Sequence, residues 1–153
     1  MMKLAEALQE RADLNTRIEQ LRSRIQSNVL VQEGEKPDEK PEKLLKELNE
    51  DLNRLEYLIQ KINLTNCKCL LDGASLTELI AKKDVMKLKQ SAYRDILYSA
   101  SQKTNRARNS EIKVVSVVNV EELQKEADRI AKEVRLLDNR IQQANWTVDL
   151  IED

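Results

Sequence analysis

The sequence predicts a mainly α fold: a long antiparallel helical bundle with coiled-coil-type packing and a small two-stranded β element. Its 153 residues include only 2 Gly and 2 Pro, so few positions interrupt a helix. Aromatic residues make up 3% of the chain and Phe is absent, which leaves aliphatic side chains to form the core. Those side chains recur at alternating spacings of three and four, the pattern of helices that pack through a heptad seam.

The first predicted helix covers residues 3–27. Its seam contains Leu4, Ala7, Leu14, Ile18, Leu21 and Ile25. Arg11 occupies one position of that seam, where a guanidinium either extends to solvent along its aliphatic stem or pairs with an acid. Arg11 is therefore a candidate interaction residue. If it does not extend to solvent, it forms an ion pair between subunits that fixes their register, with Asp13 or an acid of the last helix as its partner.

The second predicted helix covers residues 41–66 and begins at Pro41, since proline is tolerated in a first turn. Its apolar stripe is Leu45, Leu48, Leu52, Leu55, Ile59 and Ile62. Leu44 and Leu58 widen this stripe, which predicts contact with more than one neighbouring helix.

A turn at Asp72-Gly73 separates this helix from a third, predicted over residues 75–101, and indicates a small hairpin or tight turn. The β-branched segment 112–118 is predicted as a strand, with residues 29–31 as its partner. The last helix, over residues 120–148, begins after Asn119 as a cap. It has the most regular repeat: Val120, Leu123, Ala127, Ile130, Val134, Leu137, Ile141, Ala144 and Val148. We expect residues 1–153 to form a single helical domain.

The formal net charge of −1 conceals a segregation of charge along the chain. Residues 82–113 contain nine bases and three acids, a local charge of +6. This pattern favours attraction between basic and acidic helices, and its alternative is a surface for nucleic acid or another anion. The candidate interaction residues in this segment are Lys103, Arg106 and Arg108.

Trp146 is the only tryptophan and is interpreted as a core or interface plug that closes the last helix onto a neighbour. General acid–base catalysis usually recruits histidine, which this sequence lacks. Nucleophile motifs, phosphate-binding loops and metal-ligand spacings are also absent. The sequence therefore predicts a non-enzymatic protein with no metal, no cofactor and no small-molecule substrate.

No window approaches the roughly 18 to 20 apolar residues that cross a bilayer as a helix. The chain start runs directly into charged, periodic sequence rather than an apolar export signal. These two observations predict a soluble, cytoplasmic protein.

Several short stretches along nearly the whole chain resemble a bacterial family whose members are often labelled septicolysin or septicolysin-like. They include residues 2–8, Val31-Gln32-Glu33-Gly34-Glu35, Asp72-Gly73, Ser110-Glu111-Ile112 and Asn145-Trp146-Thr147. The resemblance implies a small helical protein of unassigned activity, and the label implies a cytolysin.

Four apolar stripes, one of them widened, predict a homo-oligomer, because exposed stripes seek partners. The predicted function is a non-enzymatic, self-assembling helical scaffold or interaction protein. Its alternative is binding of nucleic acid or another anion through residues 82–113. The third alternative is a membrane-active cytolysin, as the family label suggests. The sequence favours it least, because it has no Phe and one Trp to insert into a membrane.

Overall fold

The computed structural model of the protein describes residues 1–102 and 112–153. The fold is mainly α, as predicted. The described residues form four helices, and each begins and ends within two residues of its predicted bounds: α1 (Leu4–Asn28), α2 (Pro41–Lys68), α3 (Leu76–Ala100) and α4 (Val120–Thr147). Two short strands, β1 (Leu70–Leu71) and β2 (Ala74–Ser75), form an antiparallel hairpin.

The contacts divide the chain into two compact units. The first unit comprises Met1–Ser75 and Gln143–Asp153, and the second comprises Leu76–Gln142. Most of α4 thus belongs to the second unit, while its last turn and the C-terminal segment belong to the first. The organisation of the chain as a single domain stays a prediction.

In the first unit, α1 and α2 pack against each other in antiparallel orientation. Arg54 Nε lies 2.7 Å from Glu10 Oε1, and Arg17 Nη2 lies 3.1 Å from Asp51 Oδ1. Residue numbers rise along α1 as those of their partners fall along α2, which defines the orientation. The bidentate bond from Arg54 lowers the pKa of Glu10 below its usual value.

The buried face of α2 is displaced from the predicted one. Its buried residues are Leu44, Asp51, Leu58, Ile62 and Thr65. Four of these are spaced by seven, so they form one row along the helix. Leu45, Leu52 and Ile59, which belong to the predicted stripe, are 44%, 41% and 39% exposed. Two adjacent rows compete in this helix, one of them wholly apolar and the other including Asp51 and Thr65, and packing within the first unit decides which is buried.

The C-terminal segment returns to the start of α1. The amide of Leu4 donates to the Val148 carbonyl at 2.9 Å, and the amide of Leu150 donates to the Met2 carbonyl at 2.8 Å. Between these bonds, Lys3 Nζ lies 2.7 Å from Asp149 Oδ1, which lowers the pKa of that carboxyl.

Thr65 joins the same segment to α2. Its fully buried hydroxyl donates to the Lys61 carbonyl at 2.8 Å and accepts the Ile151 amide at 2.8 Å. This one side chain therefore satisfies a backbone donor that would otherwise lack a partner among the described residues.

The hairpin predicted at Asp72-Gly73 is confirmed. Leu70 pairs with Ser75 and Leu71 with Ala74. Asp72 has φ of +50° and Gly73 of +86°, the left-handed conformations of a two-residue type I′ turn.

The strands predicted at residues 29–31 and 112–118 are wrong, since neither segment joins a ladder among the described residues. Val29 instead caps the end of α1 in a helical conformation. Asn28 organises the following loop, because its side chain bonds the Arg24 carbonyl at 2.7 Å and the Glu39 amide at 3.0 Å. β-branched residues favour strands only where a pleated face is packed, and the valines of both segments are 45% to 96% exposed.

In the second unit, α3 and α4 are also antiparallel. Lys83 Nζ lies 3.3 Å from Asp138 Oδ1, while Lys89, further along α3, interacts electrostatically with Glu126, nearer the start of α4. Asn119 caps α4 as predicted, since its Oδ1 accepts the Glu122 amide at 3.1 Å. The buried aliphatic residues of this unit are Leu76, Leu79, Ile130, Val134, Leu137 and Ile141.

Replacement of Thr65 by Val should destabilise the protein by about 1–3 kcal/mol, because the Ile151 amide loses its acceptor in a buried site. Thr16 is the matched control, since its hydroxyl makes the same kind of bond to the Ala12 carbonyl at 3.3 Å on an exposed surface. Thr16→Val should change the free energy of unfolding by less than about 0.5 kcal/mol. Denaturant unfolding measures both, and equal effects would contradict the role of Thr65.

Replacement of Asp51 by Leu should stabilise the protein by about 1 kcal/mol, because Asp51 Oδ2 is buried with no hydrogen-bond partner among the described residues. Arg17, which is 59% exposed, would remain solvated after this change. Arg17→Leu should destabilise the protein, because it leaves the Asp51 carboxylate without its cation. Thermal unfolding of the two variants tests this contrast, and a loss of stability in Asp51→Leu would show that the pair stabilises the fold.

Candidate functional site

The outer surface of α3 carries a row of exposed apolar side chains. Val85 is 64% exposed, Leu88 is 71% exposed and Ile96 is 47% exposed. Together with the exposed Ala92 they recur at spacings of three, four and four, which places them on one face of the helix. We call Val85, Leu88, Ala92 and Ile96 the α3 apolar row. The spacing of these four residues is visible in the sequence.

Opposite charges flank this row. Lys82 and Lys89 lie seven residues apart along one side, whereas Asp84 and Asp95 lie along the other. Lys89 also stacks on Tyr93, with its Nζ 5.7 Å from the ring centroid. The two flanks therefore give the α3 apolar row a basic edge and an acidic edge.

Lys89 also contributes to the electrostatics of α4. It acts with Arg129, which makes the larger contribution through a hydrogen bond from its Nε to Glu126 Oε2 at 3.0 Å. Both cations lower the pKa of Glu126, so its carboxylate stays charged well below neutral pH.

The segment 112–118 extends the apolar surface of the second unit. Its residues 115–118 line a hollow of about 460 Å³ together with Asp95, Ile96, Ser99 and Ala100 of α3. Val115 and Val117 remain 70% and 96% exposed. The end of the α3 apolar row thus meets a second group of exposed β-branched side chains.

The first unit has its own exposed apolar row on α2. Leu45, Leu52 and Ile59 lie at intervals of seven residues and are 39% to 44% exposed. This row lies beside the buried face of α2, so its residues are the half-covered edge of a core. The α3 apolar row is more exposed and is the stronger candidate for contact with another molecule.

The predicted interaction residues have different surroundings. Arg11 is half-buried and makes no ion pair or hydrogen bond with another described residue of the same chain. The predicted ion pair between subunits, with Asp13 or an acid of the last helix, stays a prediction. Trp146 is 54% exposed and therefore is not a core residue of this chain, because residues 144 and 145 occupy the buried side of this turn. Its alternative role as an interface plug stays a prediction. Lys103, Arg106 and Arg108 lie outside the described residues.

A groove of about 430 Å³ lies between α3 and α4 in the second unit. Leu97 and Ala127 contribute apolar atoms to it, while Arg94, Tyr98 and Asp128 contribute polar groups. Arg94 and Tyr98 both lie in the basic segment 82–113, and the structure shows that Asp128 of α4 lines the same groove.

The described part of the chain holds no group of three or more His, Cys, Asp or Glu residues arranged to bind a metal ion. Among the same residues, no helix is both long and apolar enough to span a membrane.

Comparison with solved structures gives a neighbour described as a functionally unknown conserved protein from Corynebacterium diphtheriae. The two chains are 35% identical and superpose with a TM-score of 0.87 over 98% of this chain and 99% of that chain. No curated protein sequence matches the chain.

The family comparison extends over most of the sequence. A family model matches residues 11–150, and its description is "family of unknown function" DUF6847. This match begins before the middle of α1 and ends within the C-terminal segment, so it includes α2, α3 and α4. The chain therefore belongs to the DUF6847 family.

Proposed function

We propose that the protein is a helical interaction module that self-associates through the α3 apolar row. The observation that carries this proposal is the exposure of Val85 and Leu88, at 64% and 71%. Burial of an exposed leucine contributes about 1.5–3 kcal/mol, which is available to a partner that covers the row.

The flanking charges favour a second copy of the same chain as that partner. In a parallel dimer of helices related by a two-fold axis, consider the residue that directly precedes an apolar contact residue on one helix. It lies beside the residue whose number is five higher on the other helix. Asp84 and Lys89 have this spacing on either side of Val85 and Leu88. A parallel pair of α3 helices would therefore bring each basic edge beside the partner's acidic edge.

The other predicted roles have less support. The anion-binding residues Lys103, Arg106 and Arg108 lie outside the described residues, so that alternative stays a prediction. The septicolysin label and its implied lytic activity, the absence of enzymatic activity and the cytoplasmic location likewise stay predictions.

Sedimentation at low and high salt tests self-association. We expect a dimer that persists at high salt, because apolar contact is not screened by ions. Leu88→Glu should shift the dissociation constant by at least about tenfold towards monomer, since a carboxylate would be buried in the apolar contact.

Two further variants make this test specific. Leu30→Glu is the matched control, because Leu30 is 86% exposed in the loop after α1 and lies outside the α3 apolar row. It should leave the dimer unchanged. Leu52→Glu tests the exposed row of α2. A wild-type monomer at all protein concentrations would contradict self-association, and dissociation only in Leu52→Glu would assign the contact to α2.

A further inference from the structure

The groove between α3 and α4 combines an apolar floor with polar groups of both signs. Its volume of about 430 Å³ lies within the range of about 300–1,000 Å³ that is typical of small-molecule sites. Leu97 and Ala127 provide the floor. All of its lining belongs to the second unit, so the groove is defined by one pair of antiparallel helices.

The α3 side of the groove presents a cation and an aromatic ring. Arg94 and Tyr98 are four residues apart and therefore lie on the same face of α3. Tyr98 is 70% exposed, and neither side chain makes a hydrogen bond or ion pair with another described residue. Both the guanidinium donors of Arg94 and the ring face of Tyr98 are thus available to a ligand.

The α4 side presents an oriented acceptor. Gln124 Nε2 donates to Asp128 Oδ1 at 2.9 Å, which holds the carboxylate in place. Its second oxygen, Oδ2, receives no hydrogen bond from another described residue. Asp128 can therefore accept a hydrogen bond from a ligand that carries an N–H group.

These three groups match the three parts of one class of ligand. We propose that the groove binds a purine nucleoside monophosphate that carries an exocyclic amine. The purine stacks on Tyr98 above the apolar floor, the phosphate pairs with Arg94, and the exocyclic amine donates to Asp128 Oδ2. This inference is independent of the proposed self-association, because every group that it uses comes from one chain.

The chemistry of the groove also predicts which related compounds bind poorly. Purine riboside monophosphate has a hydrogen where adenosine monophosphate has an amine, so it has no exocyclic donor for the Asp128 carboxylate. Adenosine lacks the phosphate that Arg94 binds, and inorganic phosphate lacks the ring that stacks on Tyr98. Each of these three probes should therefore bind more weakly than adenosine monophosphate.

Isothermal titration of the full chain with adenosine monophosphate tests the proposal. We expect saturable binding to one site, and a dissociation constant at least about tenfold weaker in Tyr98→Leu and in Arg94→Gln, because stacking and charge-assisted contacts are each lost. Arg135→Gln is the matched control, since Arg135 is an exposed arginine of α4 outside the groove lining. It should bind as the wild type does. Equal thermal unfolding midpoints of the variants verify that each has folded.

Three results would overturn the proposal. The first is the absence of saturable binding of adenosine monophosphate to the wild-type chain. The second is equal binding of adenosine monophosphate and purine riboside monophosphate, which would exclude Asp128 as the group that recognises the exocyclic amine. The third is much tighter binding of an adenine oligonucleotide in a strongly salt-dependent manner, which would assign the groove to a nucleic-acid strand.

Discussion

The contact between α1 and α2 in the first unit depends on one row of residues along α2, repeated every seven positions. Leu44 and Leu58 in that row are buried aliphatic residues, whereas Asp51 and Thr65 are buried polar ones. The aliphatic members exclude water, and the polar members fix particular partners: Arg17 for Asp51 and the Ile151 amide for Thr65. Aliphatic packing alone tolerates sliding between helices, whereas the Arg17–Asp51 ion pair joins one position of α1 to one position of α2. The Thr65 bond attaches the C-terminal segment to α2.

The same constraint explains why apolar side chains remain exposed. An antiparallel pair of helices buries one row from each partner, yet α2 carries a second row beside its buried row and α3 carries the α3 apolar row on the face turned away from α4. On α2 the second row is partly covered, whereas Val85 and Leu88 on α3 are largely exposed. In a chain with 35% charged residues, this contrast between a charged surface and an uncovered apolar row is what supports an interaction role.

The groove between α3 and α4 has a different basis from the α3 apolar row, although both use the same helix. The row depends on side chains that face away from α4, and the groove depends on Arg94 and Tyr98, which approach α4. A ligand in the groove and a partner on the row would therefore contact different faces of α3. The family has no assigned function, so membership does not indicate what either surface binds. The proposals for both surfaces rest on geometry and charge.

Periodicity in the sequence was sufficient to predict the four helices within two residues at each end, because local hydrogen bonds and apolar spacing determine helices. The Asp72-Gly73 hairpin was equally predictable, since its turn requires left-handed residues at adjacent positions. The site was less predictable. Val85 and Leu88 could have been identified by their spacing, but their exposure could not, because exposure depends on which neighbour covers each face.

Only the tertiary structure decided which row of α2 is buried, where the C-terminal segment returns, and that Asp128 and Arg94 line one groove. These features join residues far apart in the chain, and nothing in local sequence specifies such pairs. The segment 112–118 is the reverse case: its β-branched alternation predicted a strand, but a strand requires a partner that the described residues do not provide. The sequence by itself determined the positions of the helices and their apolar faces, whereas long-range packing determined which of these faces are buried and which remain exposed.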